Sequence, residues 1–309
     1  MPPVILKGTQ NQPHLANDLR PHMKRFTSIP PCLERQRRPL FTMFSVVHFA
    51  CILRLLLGQV VCSLLLYFII GNIQKASEVG VRVITYHWTV IPIRRNRQTS
   101  GRGKVTYAAF ELEQDWKDLP VGKSGRVSSE DYWERISYFL EKVIPAAKQH
   151  NVRMACHPYD PPGLPFGYQG ADNWDSPSVF EAIKRYESMM DSPYNGFQLC
   201  LGTTAEGLKN PRTEVLPIVQ YLGERGKIHQ IHMRNIRGGL HRFEEVYPDE
   251  GEMDFFQVMR ILRDVQFAGS ICPDHMPYHP DDSGSLQSFA FGYGYLKALI
   301  QAVNSEVPG

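Results

Sequence analysis

The sequence has few cysteines and no closely spaced pair of them. The 309-residue chain has six, with no Cys-x-x-Cys motif among them: Cys32, Cys51, Cys62, Cys156, Cys200 and Cys272. In a chain of this size, that pattern argues against a disulfide scaffold and favours reduced thiols. We therefore expect a cytoplasmic protein, and we interpret Cys156 and Cys272 as small buried hydrophobic residues.

A large excess of charge of one sign is also missing. The formal net charge is +3, and residues 1–54 carry eight Lys or Arg against two acidic residues, which leaves −3 for the rest of the chain. A net acidic body offers no basic surface for nucleic acid, so we expect no nucleic-acid partner. Charged residues make up 21% and hydrophobic residues 43% of the chain, proportions that are typical of globular proteins.

Only one stretch is apolar enough to raise the question of a membrane. Residues 44–71, "FSVVHFACILRLLLGQVVCSLLLYFIIG", are interrupted by Arg54 and Gln59. A membrane span needs about 20 predominantly apolar residues, and the uninterrupted run 60–70 is shorter than that. We predict a buried helix, or a helix and a strand, here, with a membrane or targeting segment and an unrepresentative N-terminus as open alternatives.

The chain divides into an atypical N-terminal segment, residues 1–59, and a region of regular pattern, residues 60–309. In the second region short strand-like runs alternate with helical patterns. The predicted strands are 81–88, 152–158, 197–202, 228–235 and 269–275. The predicted helices are 129–150, 176–190, 211–226, 253–265 and 286–303, with Ser129 and Ser176 as N-caps of the first two.

This alternation predicts an α/β fold with parallel strands and helical crossovers. Five strand–helix units are evident between residues 81 and 303, whereas a closed (β/α)8 TIM barrel needs eight. We therefore predict a TIM barrel that is incomplete or irregular at its N-terminal side. In such folds the functional residues gather at the carboxyl ends of the strands.

The last four predicted strands end in residues that can bind a metal. These are His157, Cys200, His232 and Asp274. Two imidazoles, a thiolate and a carboxylate suit a divalent first-row metal ion, although a lone strand-end histidine or cysteine is more often structural. The two-residue period of "IHQIHMRN" places His232 and Arg234 on one face of the strand, and His229 on the face towards the helices.

The motifs at these strand ends resemble those of the mannonate dehydratase family over residues 72–304. The resemblance rests on "RMACHPYDPP", "FQLCLGT", "IHQIHMRNI", "DEGEMDFFQVMRIL" and "CPDHMP", in that order, and more loosely on "TYHW" and "GRG" at 101–103. The family has a xylose-isomerase-like barrel. The resemblance therefore implies a metal-dependent hydro-lyase that converts D-mannonate to 2-keto-3-deoxy-D-gluconate in glucuronate catabolism.

Carried over residue by residue, the resemblance implies one Mn²⁺ or Fe²⁺ held by the four residues named above. It also implies substrate contacts from Arg234, Asn235 and His87, a bidentate clamp by Arg234, and proton transfer by His275. A structural role for His275 as a partner of Asp274 is the alternative. The family is also associated with a homodimer, so we expect a sugar acid as ligand and a second copy as partner.

The sequence departs from the family pattern at the position of the second proton-transfer group. The family has a tyrosine in the segment ahead of the last helix, where this sequence has Gln287. Tyr278, His279 or Asp160 are candidates to replace it, and we predict Tyr278 as catalytic and Asp160 as a substrate contact. The alternatives to a dehydratase are a sugar isomerase or epimerase on the same barrel, and a membrane-tethered or weakened barrel that only binds ligand.

Overall fold

A computed structural model describes residues 4–5 and 59–307 of the chain. The strands are β1 (Val4–Ile5), β2 (Val83–His87), β3 (Arg97–Ser100), β4 (Thr106–Glu111), β5 (Arg153–His157), β6 (Asn195–Cys200), β7 (Ile228–His232), β8 (Asn235–Gly239), β9 (Arg242–Val246) and β10 (Ser270–Cys272). The helices are α1 (Gln59–Glu78), α2 (Ser129–Gln149), α3 (Val179–Ser188), α4 (Leu201–Glu206), α5 (Pro211–Glu224), α6 (Phe255–Asp264) and α7 (Leu286–Ser305). Short 3-10 turns lie at Arg102–Lys104, Trp116–Asp118 and Ser283–Ser285.

The larger sheet is parallel except at one edge. Its strand order is β1-β10-β7-β6-β5-β2, and β1 pairs antiparallel with β10 while all other pairs are parallel. Helices cover the outer face of the sheet, and β6 in its centre is buried at every position, whereas β2, β7 and β10 alternate between buried and partly exposed residues. Because the strands are parallel, their carboxyl ends meet at a single edge of the sheet.

This architecture confirms the predicted α/β fold and its five strand–helix units. Within residues 4–5 and 59–307 the sheet has five parallel strands, and no hydrogen-bonded pairing joins β1 to β2 to close it. The predicted helix near residue 60 is α1, but it is not the buried element that we expected, because Leu64, Tyr67 and Phe68 are exposed. No helix in the described ranges is sufficiently long and apolar to span a bilayer. The apolar residues 44–58 lie outside the described part of the chain.

A second sheet was not predicted from the sequence. It is antiparallel, with strand order β3-β4-β9-β8, and its β8–β9 hairpin begins three residues after β7 ends. Gly238 has a φ of +87°, and a Cβ there would lie 2.4 Å from the carbonyl oxygen of Arg242. The hairpin therefore requires glycine at this position. It places β9 beside the carboxyl end of the parallel sheet.

Two predicted helix starts are corrected by the structure. The N-cap of α2 is Ser128, whose side chain accepts a hydrogen bond from the backbone N–H of Asp131 while Asp131 bonds back to Ser128. This capping box needs a carboxylate three residues after the cap, and Ser128 rather than Ser129 has that spacing. The N-cap of α3 is Ser178 rather than Ser176, and its side chain accepts from the N–H of Glu181.

Candidate metal centre and active site

Four side chains meet at the carboxyl edge of the parallel sheet. One ligand atom from each of His157, Cys200 and His232 lies within 4.8 Å of the other two. Asp274 adjoins this group, because its Oδ1 lies 3.1 Å from Nδ1 of His232 and its Oδ2 lies 3.6 Å from Sγ of Cys200. The structure thus brings together the four residues that the sequence singled out as metal ligands.

Strand register explains why these side chains meet. Parallel pairing sets Cys200 opposite His232, and His232 opposite Cys272. Asp274 lies two residues beyond β10 and has a φ of 66°, in the left-handed region that Asp tolerates better than most residues. A strained backbone of this kind is often found at functional sites.

Each histidine of the cluster is held through one ring nitrogen. Nδ1 of His157 lies 2.7 Å from the carbonyl oxygen of Pro158, and Nε2 of His232 lies 2.7 Å from the side-chain amide of Gln198. A carbonyl oxygen only accepts, so His157 donates through Nδ1 and keeps a lone pair on Nε2. Within residues 4–5 and 59–307, Nδ1 of His232 has no hydrogen-bond partner of suitable geometry, and it lies 3.1 Å from Oδ1 of Asp274.

The electrostatic environment favours a thiolate at Cys200. Burial and the Asp274 carboxylate oppose ionisation, but the charge of Arg234, with smaller effects of His157 and His232, brings the pKa of the thiol well below its usual value. The backbone N–H of Thr203 also donates to Sγ at 3.4 Å. The thiolate is the form of cysteine that binds metals.

Arg234 is buried against the cluster, with 1% of its side chain exposed. Its Nε donates to Oδ2 of Asp274 at 3.1 Å, and its Nη2 donates to Oγ1 of Thr203 at 2.7 Å and lies 3.6 Å from Sγ of Cys200. Gly202 leaves the room for this side chain, because a Cβ there would lie 2.8 Å from Nε of Arg234. The observed contacts of Arg234 are with the protein, and its predicted contact with substrate stays a prediction.

A second arginine, Arg95, shares carboxylate partners with Arg234. Nη1 of Arg234 donates to Glu206 at 2.6 Å and to Glu245 at 2.5 Å. Arg95 donates to Glu245 at 2.7 Å, to Asp160 at 2.8 Å and to Glu206 at 3.0 Å. Two cations and three acidic side chains therefore form one buried network next to the cluster, in which groups of opposite charge are paired.

Sequence reasoning missed Arg95, Glu206 and Glu245. Arg95 stands among other arginines in "IPIRRNRQ", so its position gives no signal. Glu206 is the one charged residue in "LCLGTTAEG", and a lone charge in such a segment could have indicated a buried ion pair. Burial raises the pKa of Glu206 well above its usual value, and neighbouring Asp160 adds to this, although Arg95 opposes it.

The donor atoms fit a divalent first-row metal ion. Two imidazole nitrogens, a thiolate sulfur and a carboxylate oxygen form a set that suits Mn²⁺, Fe²⁺, Co²⁺ or Zn²⁺. The unpaired Nδ1 of His232 and the ionised Cys200 are the groups that such an ion would satisfy. Asp274 is also ionised: burial opposes this, but His232 and Arg234 bring the pKa of its carboxyl well below its usual value.

A cavity of about 180 Å³ is lined by residues that include Glu245, His275 and Tyr278. His275 is half exposed, and its Nε2 lies 3.7 Å from Oδ1 of Asp274. Its Nδ1 lies 3.1 Å from Oε2 of Glu245, and this hydrogen bond raises the pKa of the imidazole. The ring of Tyr278 is exposed, while its backbone pairs with Thr106 in both directions.

The candidate His279 lies in a neighbouring groove, as does Gln287, which stands at the position of the family's tyrosine. His279 and Gln287 line a groove of about 560 Å³ together with Arg102 and Tyr247. Nδ1 of His279 accepts from the backbone N–H of Asp281 at 3.1 Å. Of the residues proposed to replace the family's tyrosine, Tyr278 is therefore the one that shares a cavity with His275.

The remaining predicted substrate contacts have protein partners. Asn235 is 1% exposed, and its amide bonds the backbone of Ile236, Pro248 and Met253, so its substrate contact stays a prediction. Asp160 is buried and binds Arg95 and Thr203. His87 pairs with His157 across β2 and β5, and its Nδ1 accepts from the N–H of Thr89 at 3.2 Å.

The two cysteines interpreted as structural differ in their surroundings. Cys156 is fully buried, and burial raises the pKa of its thiol, as expected for a small core residue. Cys272 is only partly buried and stands opposite His232. Cys156, Cys200 and Cys272 are all free thiols.

Comparison with known families gives a match over most of the barrel region. Residues 112–307 match the family model of D-mannonate dehydratase (UxuA). A mannonate dehydratase of Thermotoga neapolitana is 36% identical over 155 residues, which are 48% of this chain and 40% of that protein. One from Streptococcus suis is 34% identical over 169 residues, or 53% of this chain and 43% of that protein. These alignments thus span less than half the length of the curated relatives.

Solved structures show the same fold. The crystal structure of mannonate dehydratase from Streptococcus suis serotype 2 superposes with a TM-score of 0.67 at 23% identity, covering 85% of this chain and 76% of that one. A D-tagatose 3-epimerase-like protein superposes with a TM-score of 0.51 at 18% identity, covering 82% and 74%. Identities this low show a shared fold and nothing about substrate.

Proposed function

This chain belongs to the D-mannonate dehydratase family, and on that basis we propose that it dehydrates D-mannonate to 2-keto-3-deoxy-D-gluconate with a divalent metal ion. One observation carries the proposal: His157, Cys200 and His232 lie within 4.8 Å of one another, with Asp274 in contact with two of them. The curated relatives of this chain are mannonate dehydratases.

We propose that these four residues hold Mn²⁺ or Fe²⁺. When bound, such an ion acts as a Lewis acid that stabilises negative charge developing on the carboxylate of a sugar acid. The surroundings of Cys200 and Asp274 favour the ionised form of both ligands, because they bring each pKa well below its usual value. Arg234 keeps both ligands in place, because it contacts Oδ2 of Asp274 and Sγ of Cys200.

The reaction removes the C2 proton and the C3 hydroxyl of the sugar acid as water, and the resulting enol becomes the 2-keto product. We assign proton transfer to His275, which lines the cavity and whose Nε2 lies 3.7 Å from Oδ1 of Asp274. Glu245 holds the opposite nitrogen of the ring, so Nε2 faces the metal centre. General acid–base groups of this kind contribute about 10²–10⁴-fold to a rate.

We assign the second proton transfer to the hydroxyl of Tyr278. Tyr278 lines the same cavity as His275, whereas His279 and Gln287 line the neighbouring groove. Asp160, the third candidate, is buried and bound to Arg95. The family match favours dehydration over isomerisation or epimerisation on this fold.

The test is formation of the keto acid from D-mannonate by the full chain. We expect product with added Mn²⁺, its loss after treatment with a chelator, and recovery when Mn²⁺ is restored. A panel of other aldonic acids serves as the specificity control. Turnover that is unchanged by complete removal of metal would contradict the proposal, as would a metal-loaded protein that does not act on any acid of the panel.

A further inference from the structure

Two glutamines form a layer next to the metal cluster. Gln198 precedes Cys200 by two residues on β6, and Gln230 precedes His232 by two residues on β7. Side chains two residues apart on a strand share a face, and the register pairs Gln198 with Gln230 as it pairs Cys200 with His232. The glutamine pair is thus the adjacent layer of the same cross-strand ladder.

The amide of Gln198 contacts both neighbours in this arrangement. Its nitrogen lies 2.9 Å from Oε1 of Gln230 and 2.7 Å from Nε2 of His232. Gln198 is 6% exposed, so few other partners compete for this amide. The contact occupies Nε2 of His232 and leaves Nδ1 as the nitrogen beside Asp274, at 3.1 Å from Oδ1.

A histidine can bind a cation only through a nitrogen that has a free lone pair. If Nδ1 of His232 is the ligand atom, the proton of the neutral ring must sit on Nε2, where it needs an acceptor. A half-turn of the Gln198 amide places its carbonyl oxygen at this position. A matching half-turn of Gln230 then lets its amide donate to the same oxygen, which has two lone pairs.

The glutamine pair can therefore satisfy either tautomer of His232. With the amide nitrogen of Gln198 towards the ring, Nε2 accepts; with its oxygen towards the ring, Nε2 donates. His157 differs, because Nδ1 of its ring faces the carbonyl oxygen of Pro158, which can only accept. The tautomer of His157 is fixed by the backbone, and that of His232 depends on a side chain.

We propose that Gln198 is a positioning residue for the metal centre, which accepts the Nε2 proton of His232 and so directs the lone pair of Nδ1 at the cation. Gln230 supports it by donating to the same amide oxygen. This inference rests on the metal site of the proposed function. Partners of metal-bound histidines typically change metal affinity by about 10–100-fold when they are removed.

Three substitutions distinguish the loss of the hydrogen-bond acceptor at Gln198 from a change in side-chain packing. Gln198→Met keeps the length of the side chain but has no strong acceptor, while Gln198→Glu presents only acceptors to the ring. Gln257→Met is the matched control, because Gln257 is exposed on α6. The readout is titration with Co²⁺, followed by the absorption of the cysteine thiolate bound to cobalt, which requires no substrate and no turnover.

We expect Gln198→Met to weaken Co²⁺ binding by about 10–100-fold, and Gln198→Glu and Gln257→Met to bind at least as tightly as the unmodified protein. Wild-type affinity in Gln198→Met, or equal weakening in Gln198→Glu, would overturn the inference. If the unmodified protein fails to bind Co²⁺, the proposed metal site fails and this inference with it. If the unmodified protein binds Co²⁺ and Gln198→Met does not change the affinity, this inference is wrong but the proposed metal site still stands.

A second measurement needs no variant. Long-range ¹H–¹⁵N correlation of the histidine rings in the protein loaded with Zn²⁺ reports which nitrogen of His232 carries a proton. We expect the proton on Nε2 and the metal on Nδ1. Zinc on Nε2 of His232 would overturn the inference even if the substitutions at Gln198 prevent folding.

Discussion

Nε of Arg234 donates a hydrogen bond to Oδ2 of Asp274 at 3.1 Å, so a buried guanidinium is bonded directly to a predicted metal ligand. The same guanidinium bonds Glu206 and Glu245 through Nη1. The metal centre and the buried charge network are therefore one connected structure. Substitutions in the charge network are therefore expected to affect the proposed metal ligands as well.

Arg234→Lys should destabilise the protein strongly. A lysine ammonium cannot reproduce the planar set of donors that reaches Asp274, Glu206 and Glu245, and it leaves buried carboxylates without partners. Breaking a buried ion pair costs about 3–5 kcal/mol in the free energy of unfolding. The control is Arg237→Lys, because Arg237 forms an exposed ion pair with Glu244. A loss of about 0–1 kcal/mol in the free energy of unfolding is expected there. Equal losses in urea unfolding of the two variants would contradict the prediction.

His275→Asn should lower kcat on D-mannonate by about 10²–10⁴-fold because it removes the proposed proton-transfer group. Metal content should stay at the wild-type level, since His275 is outside the three-residue ligand group. His150→Asn, at the C-terminal end of α2, serves as the control and should keep wild-type turnover. Wild-type turnover in His275→Asn would remove this residue from the mechanism.

Tyr278→Phe should lower kcat by about 10²-fold or more with little change in stability. The substitution removes only the hydroxyl, and the side chain is 58% exposed. His279→Asn, in the neighbouring groove, should have a much smaller effect on kcat. The opposite ranking of the two variants would assign the second proton transfer to His279 instead.

Because His229 is buried, we expect the protein to lose stability in mild acid. Burial, with a smaller effect of nearby Arg153 and Lys227, lowers the pKa of this imidazole to about 3, and neither ring nitrogen has a hydrogen-bond partner in the described part of the chain. The unfolded chain binds this proton below about pH 6.5, whereas the folded protein does so only near pH 3. The contribution of His229 to stability is therefore complete above pH 6.5 and declines as the pH falls.

Between those limits, the contribution of His229 to the free energy of unfolding changes by up to about 1.4 kcal/mol per pH unit. His229→Leu removes the titrating group from a fully buried position. The free energy of unfolding in urea at several pH values between 6.5 and 4.5 should depend less on pH in the variant. Parallel pH curves for the two proteins would contradict the prediction.

Periodicity in the sequence was sufficient to locate the parallel sheet and its functional edge. The two-residue period of β7 placed His232 with Arg234 and apart from His229, and the structure has the same arrangement. Strand ends are readable because the change from apolar run to turn is local. Cys200 and His232 could therefore be grouped although they are far apart in sequence.

The second sheet and the charge network could not be read in the same way. The pairing of β4 with β9 joins Ala109 to Glu244, and such long-range antiparallel contacts leave no local period. Arg95 and Glu245 meet across 150 residues. Their pairing depends on where two loops and a hairpin lie in space, and no spacing in the sequence indicates this.

The most direct test of the central claim is elemental analysis of the purified full chain after incubation with Mn²⁺ and removal of free ion. We predict about one metal ion per chain in the unmodified protein, and loss of most of it in Cys200→Ser and in His232→Ala, because each variant removes one of four ligands. Cys156→Ser, at a buried thiol outside the cluster, is the control that should retain metal. Full metal occupancy in both ligand variants would contradict the account.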